Sequence, residues 1–218
     1  MKVIKLTPKA IEETAHVIME GGIVCFPTDT IYGLLADATN YQTVRRLYEI
    51  RRPSGRPFIL LVSANLFIAE PPPKFDLRIS DIFTYLMLEF NATFVFYKRT
   101  PIPQYLLMGR KSLAIRIPSP KSPVEKLIDL VGRPLTAPSA NPEGLKPATN
   151  IKEAIDYFGD KIDLYVDAGK REGKPSTIVR CHYPKGIRLI REGNIPFKKI
   201  LKRYQELISS FYGLGDAP

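Results

Sequence analysis

The sequence predicts an α/β fold, in which a single domain holds a twisted, mixed parallel and antiparallel sheet flanked by helices. Three observations support this. Apolar runs of strand length alternate with amphipathic segments of helix length along the 218 residues. In the second half several strands are joined by short turns, which indicates antiparallel pairs. The sequence contains no internal repeat and no long linker. We expect residues 1–210 to form the domain and residues 211–218 to form a loose tail.

The first half of the chain alternates helix and strand. Proline directly after a capping threonine predicts the first helix start, and a glycine pair predicts its end. The predicted elements are a helix between Thr7-Pro8 and Gly21-Gly22, a strand at 23–26, a loop at 27–34, a helix from about Asn40, and a strand at 58–63.

The second half contains more strands. Its predicted elements are a helix at 79–90, strands at 93–98 and 112–118, a helix at 123–131, a short strand at 134–137, a helix capped by Asn150 and ending at Gly159, strands at 164–166, 177–180 and 187–190, and a last helix at 197–209.

Composition narrows the functional classes. Hydrophobic residues make up 44% of the chain and charged residues 25%, as in ordinary globular proteins. The 32 Lys and Arg against 22 Asp and Glu give a net charge of +10, which favours anionic partners. No apolar run reaches the ~18 residues of a membrane span, and residues 1–5 are not a signal peptide, so we expect a cytoplasmic protein without a membrane partner. Cys25 and Cys181 are expected to be buried free thiols.

The most informative segment is the basic loop 51–57, Arg-Arg-Pro-Ser-Gly-Arg-Pro, between a predicted helix and an apolar strand. Its arginines offer planar, permanently charged donors that match phosphate oxygens. Pro53 and Pro57 stiffen the backbone that carries them. Such a cation cluster suits a nucleoside triphosphate or a nucleic-acid backbone. The alternative is a solvated surface loop.

Two further loops carry polar side chains after strands, where open α/β sheets bind ligands. The loop 27–34 places hydroxyl groups around Asp29; it either orients a small polar ligand or is a turn in which Asp29 caps its own backbone. The loop 138–144 presents Ser139 and Asn141 between prolines, and is either a ligand loop or a plain proline-rich turn.

Arg116 and Arg191 stand at strand ends. An arginine inside the apolar strand around Arg116 is costly unless it meets an anion, whereas Arg191 has Glu192 as a ready local partner. The sequence lacks a phosphate-loop motif, a dinucleotide fingerprint, zinc-site spacing and a nucleophilic triad around its two histidines. An enzyme with this sequence would work by positioning and charge neutralisation.

Taken in order, these loops resemble the YrdC family, the L-threonylcarbamoyladenylate synthases, in its short single-domain form. The resemblance covers about residues 1–200. It is carried by GGIVCFPTDTIYGL at 21–34, RRPSGRPFIL at 51–60, LAIRIP at 113–118, PSANPEG at 138–144, DAG and PSTIV within 167–179, and LIREG at 189–193.

The resemblance implies a YrdC-like fold and a nucleotidyltransferase that converts L-threonine, bicarbonate and ATP into threonylcarbamoyl-AMP and pyrophosphate. Mg²⁺ would be carried by ATP, and no residue is assigned as a metal ligand. The product would feed threonylcarbamoylation of adenosine 37 in tRNA through downstream threonylcarbamoyl-transferase proteins. Binding of tRNA or other RNA is a further implication.

The family motifs also imply roles for single residues. Those that match threonine contacts are Thr30, Tyr32, Arg116, Ala137 and Ser176. Those that match nucleotide contacts are Arg52, Arg56, Ser112, Ser139, Asn141 and Arg191. Arg52 and Arg56 are in addition the catalytic cations that neutralise the phosphates.

The chain departs from the family pattern at two places. The family's basic loop usually reads Lys-x-Arg-Pro, and here Ile50 stands at the lysine position unless a one-residue deletion lets Arg51 take that role. Where the family commonly has Pro-Gly-Pro before a threonine-bearing strand, this chain reads Glu-Phe-Asn-Ala-Thr at 89–93. Two alternatives stay open: a non-catalytic double-stranded RNA- or tRNA-binding module on the same fold, and the carbamoyl-transferring part of a hydrogenase-maturation protein. The second is disfavoured because zinc-finger and acylphosphatase segments are missing.

Overall fold

The computed structural model describes residues 1–51, 55–69, 81–97, 102–120, 122–182 and 186–212. Its strands are β1 (Lys2–Lys5), β2 (Val24–Pro27), β3 (Tyr32–Asp37), β4 (Ile59–Leu61), β5 (Thr93–Tyr97), β6 (Ser112–Arg116), β7 (Leu135–Thr136), β8 (Leu164–Asp167), β9 (Ile178–His182) and β10 (Gly186–Arg191). Its helices are α1 (Pro8–Met19), α2 (Tyr41–Arg51), α3 (Ala64–Ala69), α4 (Asp81–Glu89), α5 (Gln104–Leu107), α6 (Pro123–Val131), α7 (Ile151–Phe158) and α8 (Phe197–Tyr212), and a 3₁₀ turn covers Gly159–Lys161.

These strands form one sheet in the order β1-β8-β2-β3-β7-β4-β6-β5-β9-β10. β8 pairs in parallel with β1 and β2, β4 with β6, and β5 with β9. The pairs β2–β3, β3–β7, β4–β7, β5–β6 and β9–β10 are antiparallel. The predicted mixed sheet flanked by helices is therefore confirmed.

Local capping fixes the helix starts that the sequence marks. The Thr7 hydroxyl accepts a hydrogen bond from the Ala10 amide at 3.1 Å, and Pro8 follows as the first helical residue. The Asn150 side-chain oxygen accepts from the Glu153 amide at 3.0 Å. Both caps satisfy amides that the first helical turn leaves without an intrahelical partner.

Each face of the sheet carries an apolar core. On one face α1 and α6 pack on β2, with Ile18, Phe26 and Leu127 fully buried. The other face packs on the remaining longer helices, and residues of β5, β6 and β9 such as Phe94 point into that second core. Alternate residues of the same strands, such as Val95, point away from this core and line the cavity described below.

Several predictions from the sequence need correction. The loop predicted at 27–34 ends earlier, because β3 begins at Tyr32 and pairs with β2 through Pro27↔Tyr32. The run 32–37 is buried at every residue, so it lacks the alternation that marks a strand exposed on one face. The edge strand β1 and the short helices α3 and α5 were not predicted.

Other predictions lie partly outside the described residues. The helix predicted from residue 79 is described from Asp81, and α8 runs to Tyr212, two residues beyond the predicted end of the domain. Residues 70–80 and 213–218 are outside the described part of the chain. Cys25 and Cys181 are buried free thiols, as predicted. Among the described helices, none has the length and apolar character needed to cross a membrane.

Candidate active site

A cavity of about 810 Å³ opens beside the sheet. Its described lining comes from β5, β6 and β9 and from the segments around residues 30, 57 and 139. Six of the described lining residues are arginines, and the described lining contains no Asp, Glu or Lys. The six are Arg51, Arg56, Arg110, Arg116, Arg180 and Arg191. A lining of this charge is suited to a ligand that carries several negative charges.

The two polar loops singled out in the sequence meet at the cavity. Gly33 and Ser139 form an antiparallel bridge. The Leu34 amide donates to the Pro138 carbonyl at 2.8 Å, and the Ala140 amide donates to the Tyr32 carbonyl at 2.9 Å. The segments 32–34 and 138–140 therefore form one hydrogen-bonded cavity floor.

Arg116, at the end of β6, is buried in the cavity wall. Its Nη2 donates to Asp29 Oδ1 at 2.6 Å, and its Nη1 donates to Thr30 Oγ1 at 3.1 Å. Burial lowers the pKa of the Arg116 guanidinium, and the neighbouring Asp29 carboxylate opposes this effect. The buried Nε of Arg116 has no hydrogen-bond partner among the described residues. The anion that the sequence required near Arg116 is thus Asp29, and the Nε–H together with the second N–H of each Nη remains for a ligand.

Asp29 does more than shape its own turn. Besides binding Arg116, its Oδ2 accepts from the Ser119 amide at 3.1 Å and from the Ser119 hydroxyl at 3.3 Å. The turn itself is organised by Thr28, whose hydroxyl donates to the Ile31 carbonyl at 2.6 Å. Asp29 is therefore held by β6 and the residues after it.

Tyr32 is fully buried, and its hydroxyl is engaged in both directions. It donates to the Gly169 carbonyl at 2.8 Å and accepts from the Ala168 amide at 2.9 Å. Burial raises the pKa of this phenol. The Tyr32 ring thereby ties the cavity floor to the segment 168–175, which we call the strap.

The strap passes very close to the first loop. A Cβ atom on Gly173 would lie 2.1 Å from the Thr30 carbonyl oxygen, a distance that real Cβ atoms do not adopt. Only glycine permits this approach of two backbones. Thr30 is accordingly enclosed between the strap and Arg116.

Arg51, the last residue of α2, is only 4% exposed. Its Nε donates to the Ser139 carbonyl at 2.9 Å, and its Nη2 donates to Ser139 Oγ at 3.2 Å and Asn141 Oδ1 at 3.3 Å. Asn141 Nδ2 in turn donates to the carbonyls of Pro142 and Leu145, at 2.9 and 2.6 Å. Arg51 therefore clamps the loop 138–144. That it takes the role of the family's lysine stays a prediction.

The cavity wall next to Arg116 joins β5, β9 and β10, and Thr93 on β5 is the register partner of Arg116. The hydroxyls of Thr93 and Ser176 lie 2.8 Å apart, and both residues are buried. Arg191 Nη2 donates to the Ser176 carbonyl at 2.9 Å, and partial burial lowers the Arg191 pKa. Ser176 and Arg191 line the same cavity as Arg116, although they lie far from it along the chain.

The described site residues predicted from the sequence all line this one cavity. Arg52 lies outside the described residues. Sequence reasoning missed Arg110, Arg180 and the role of Asp29 as the partner of Arg116. Arg180 carried the same signal that identified Arg116, because it is a cation inside an apolar strand. Arg110 gave no such signal, since it follows a short helix that was not predicted.

No group of three or more His, Cys, Asp or Glu side chains suited to a metal ion occurs in the described part of the chain.

Comparisons with known proteins agree with this architecture. The Sua5_yciO_yrdC family model, described as "Telomere recombination", matches residues 16–193. Threonylcarbamoyl-AMP synthase of Pyrococcus abyssi is 30% identical over 90% of this chain and 58% of its own length. A Methanocaldococcus jannaschii relative is 34% identical over 89% of this chain and 90% of its own length.

The structure of P. abyssi Sua5 complexed with L-threonine superposes with a TM-score of 0.80 at 30% identity, covering 93% of this chain and 59% of that one. This chain therefore spans somewhat more than half of the Pyrococcus protein and most of the Methanocaldococcus one. The family match covers the loops that meet at the cavity. The chain belongs to the Sua5/YciO/YrdC family.

Proposed function

We propose that this protein is an L-threonylcarbamoyladenylate synthase, a nucleotidyltransferase that forms threonylcarbamoyl-AMP and pyrophosphate from L-threonine, bicarbonate and ATP. The observation that carries the proposal is the division of the cavity. One end holds the buried Arg116 with a free Nε–H, and the remaining lining is rich in arginine. The name of the Pyrococcus relative and the threonine in the related structure agree with this proposal.

The amino-acid end is formed around Arg116. Its guanidinium has N–H groups left to grip a carboxylate, which such a planar donor can bind in a bidentate manner. Thr30, Ala137 and Ser176 supply short polar and backbone groups in the same lining. Tyr32, whose hydroxyl is engaged in both directions, contributes its ring as a wall.

The nucleotide end is formed by the arginines and the loop 138–144. Arg52, Arg56, Ser112 and Arg191 are proposed as contacts to ATP. Ser139 Oγ accepts from Arg51, so its own O–H proton is left to donate to a phosphate oxygen. The nitrogen of the Asn141 amide already donates to two carbonyls, so we assign this residue a positioning role beside its predicted nucleotide contact.

The proposed chemistry needs no protein nucleophile. The threonine amine and bicarbonate form a carbamate with loss of water. A carbamate oxygen attacks the α-phosphorus of ATP, and the bond to the bridging oxygen breaks to release pyrophosphate. Negative charge on the phosphates is stabilised by fixed arginines, which need no reorganisation during the reaction. Mg²⁺ enters this proposal only as an ion carried by the ATP phosphates.

The test is pyrophosphate release measured with each substrate omitted in turn. We expect release to require ATP, L-threonine and bicarbonate together, and to fall by at least about 100-fold in Arg116→Gln, because a charged partner of the carboxylate is lost. Arg133→Gln is the matched control, since Arg133 pairs with buried Asp37 at 2.8 Å outside the cavity lining. ATP turnover that is indifferent to threonine would contradict the assignment. The same proposal includes a cytoplasmic location. It also includes the use of the product by downstream threonylcarbamoyl-transferase proteins, which modify adenosine 37 of tRNA.

A second function, RNA binding, is favoured by the arginines and rings of β5, β9 and β10 at the cavity wall. Register places Arg180 opposite Val95 on β5 and opposite Arg188 on β10. The Arg180 guanidinium lies 5.6 Å from the Tyr97 ring centroid, and the His182 ring lies 5.8 Å from the same ring. Aromatic rings among arginines are suited to stacked bases and phosphates.

RNA affinity measured as a function of salt distinguishes this function from catalysis. Binding through phosphates predicts a linear fall of log affinity with log salt, and a shallower slope for Arg188→Ala. Arg45→Ala, an exposed change on α2, should leave the slope unaltered. RNA binding with no ATP binding would favour the non-catalytic module, and ATP binding with no salt-dependent RNA affinity would rule that module out.

A further inference from the structure

The cavity contains one arginine whose charge is balanced by a buried acid. The side chains of Arg116 and Asp29 are each only 6% exposed, and their closest atoms are 2.6 Å apart. By contrast, Arg110, Arg180 and Arg191 have no described carboxylate within salt-bridge distance. The charge of the cavity is therefore uneven, with a neutral pair at the Arg116 end.

This unevenness affects ligands of different charge differently. The attraction of an arginine for an anion grows with the charge of the anion, so a bare Arg116 would favour a polyphosphate over a carboxylate. The Arg116–Asp29 pair has almost no net charge, so the attraction that remains for an anion is mainly hydrogen bonding through the unengaged N–H groups of Arg116. Hydrogen bonding of this kind is comparable for a carboxylate oxygen and a phosphate oxygen.

We propose that Asp29 determines specificity by charge: it withholds Arg116 from polyphosphates and reserves it for the carboxylate of the amino-acid substrate. This inference rests on the proposed function, because it requires an amino acid and a polyphosphate to share the cavity. Without such sorting, ATP or pyrophosphate would occupy the amino-acid end and exclude the second substrate. Asp29 acts through Arg116 and is a positioning residue in this sense.

The Asp29 carboxylate is also fixed in position by hydrogen bonds from Ser119. Its second oxygen accepts from the Ser119 amide and hydroxyl, so the carboxylate stays fixed beside the guanidinium. A carboxylate so held cannot swing away to let Arg116 act as a free cation. The sorting is therefore built into the resting protein.

The experiment is calorimetric titration of the full chain with L-threonine, with and without saturating pyrophosphate. In the unaltered protein we expect pyrophosphate to raise the threonine dissociation constant by less than about threefold, because the two anions occupy different parts of the cavity. In Asp29→Asn, pyrophosphate should raise the threonine dissociation constant by at least about tenfold, since the charge of Arg116 is then no longer balanced by a carboxylate. A structural role alone would not produce competition between these two ligands.

Asp37→Asn is the matched control, because Asp37 is another buried acid paired with an arginine but outside the cavity lining. It should behave as the unaltered protein does. The inference is overturned if pyrophosphate competes with threonine in the unaltered protein, or if it fails to compete in a folded Asp29→Asn. The titration of the unaltered protein can overturn the inference even where Asp29→Asn does not fold. If threonine does not bind the unaltered protein at all, the proposed function is overturned. If Asp29→Asn then binds one more equivalent of pyrophosphate than the unaltered protein, the result still supports the inference that Asp29 keeps polyphosphates away from Arg116.

Discussion

Replacing Arg51 by lysine tests whether the clamp on the loop 138–144 organises the nucleotide end. The substitution keeps the positive charge. It removes the planar fork that reaches three acceptors at once, the Ser139 carbonyl, Ser139 Oγ and Asn141 Oδ1. A lysine ammonium is a compact charge on a flexible stem and reaches at most about one of them in the same place. Since Arg51 is 4% exposed, little water can replace the missing donors.

The magnitude follows from the bonds lost. Hydrogen bonds from a charged donor contribute about 1.5–3 kcal/mol each. Two of the three are long, at 3.2 and 3.3 Å, and one is replaced by the lysine. We therefore expect the free energy of unfolding to fall by about 2–4 kcal/mol, and Tm by roughly 4–16 °C for a chain of this size. ATP affinity should fall by at least about tenfold, because Ser139 loses the group that orients it.

Thermal unfolding and calorimetric titration with ATP measure the two effects. Arg45→Lys is the matched control: it makes the same exchange on the same helix at an exposed arginine with one described partner, Glu49, at 3.2 Å. It should alter neither quantity appreciably, because exposed ion pairs contribute little. If Arg51→Lys binds ATP as tightly as the unaltered protein, the loop does not depend on this clamp and the reasoning is refuted.

Three further predictions concern the strap, the basic loop and the buried thiols. Gly173→Ala should abolish detectable L-threonine binding in calorimetry, because its Cβ would meet the Thr30 carbonyl at 2.1 Å; unchanged affinity would show that the strap yields. Arg56→Ala, at an exposed residue of the cavity wall, should weaken ATP binding by about tenfold without lowering Tm. The family resemblance predicts the same loss of ATP affinity for Arg52→Ala. Burial raises the pKa of the Cys25 thiol, so above about pH 8.5 the thiol ionises in the unfolded state but stays protonated in the folded state. The contribution of Cys25 to the free energy of unfolding is therefore complete below that pH and is lost as pH rises further. The urea midpoint should therefore fall between about pH 7.5 and 9.5, and fall less in Cys25→Ala; equal slopes would contradict this.

The sequence predicted best where local chemistry decides the outcome. Helix α6 was predicted at its observed bounds, Pro123–Val131, because proline at its start and glycine after its end mark both termini. The caps at Thr7 and Asn150 were equally local. The mixed sheet followed from counting which strands are joined by turns and which by helices.

Prediction failed where tertiary structure decides. β3 is buried at all its residues, so its run of apolar and small residues resembled the end of a ligand loop. The cavity residues were identified singly, but the partners that define their roles lie far away along the chain. Asp29 meets Arg116 across 87 residues, and Arg51 meets Ser139 across 88. Such pairs are set by the packing of strands, which no local pattern specifies.

The cavity floor, where Gly33 bridges Ser139, has a thermodynamic consequence. One of its edges, the start of β3, directly follows the loop proposed to hold the amino acid, and the other belongs to the loop proposed to hold ATP. A ligand that rigidifies either loop also orders the other, so the second ligand meets a smaller entropic cost on binding. The two substrates should therefore bind with positive cooperativity, and each must raise the affinity of the other by the same factor.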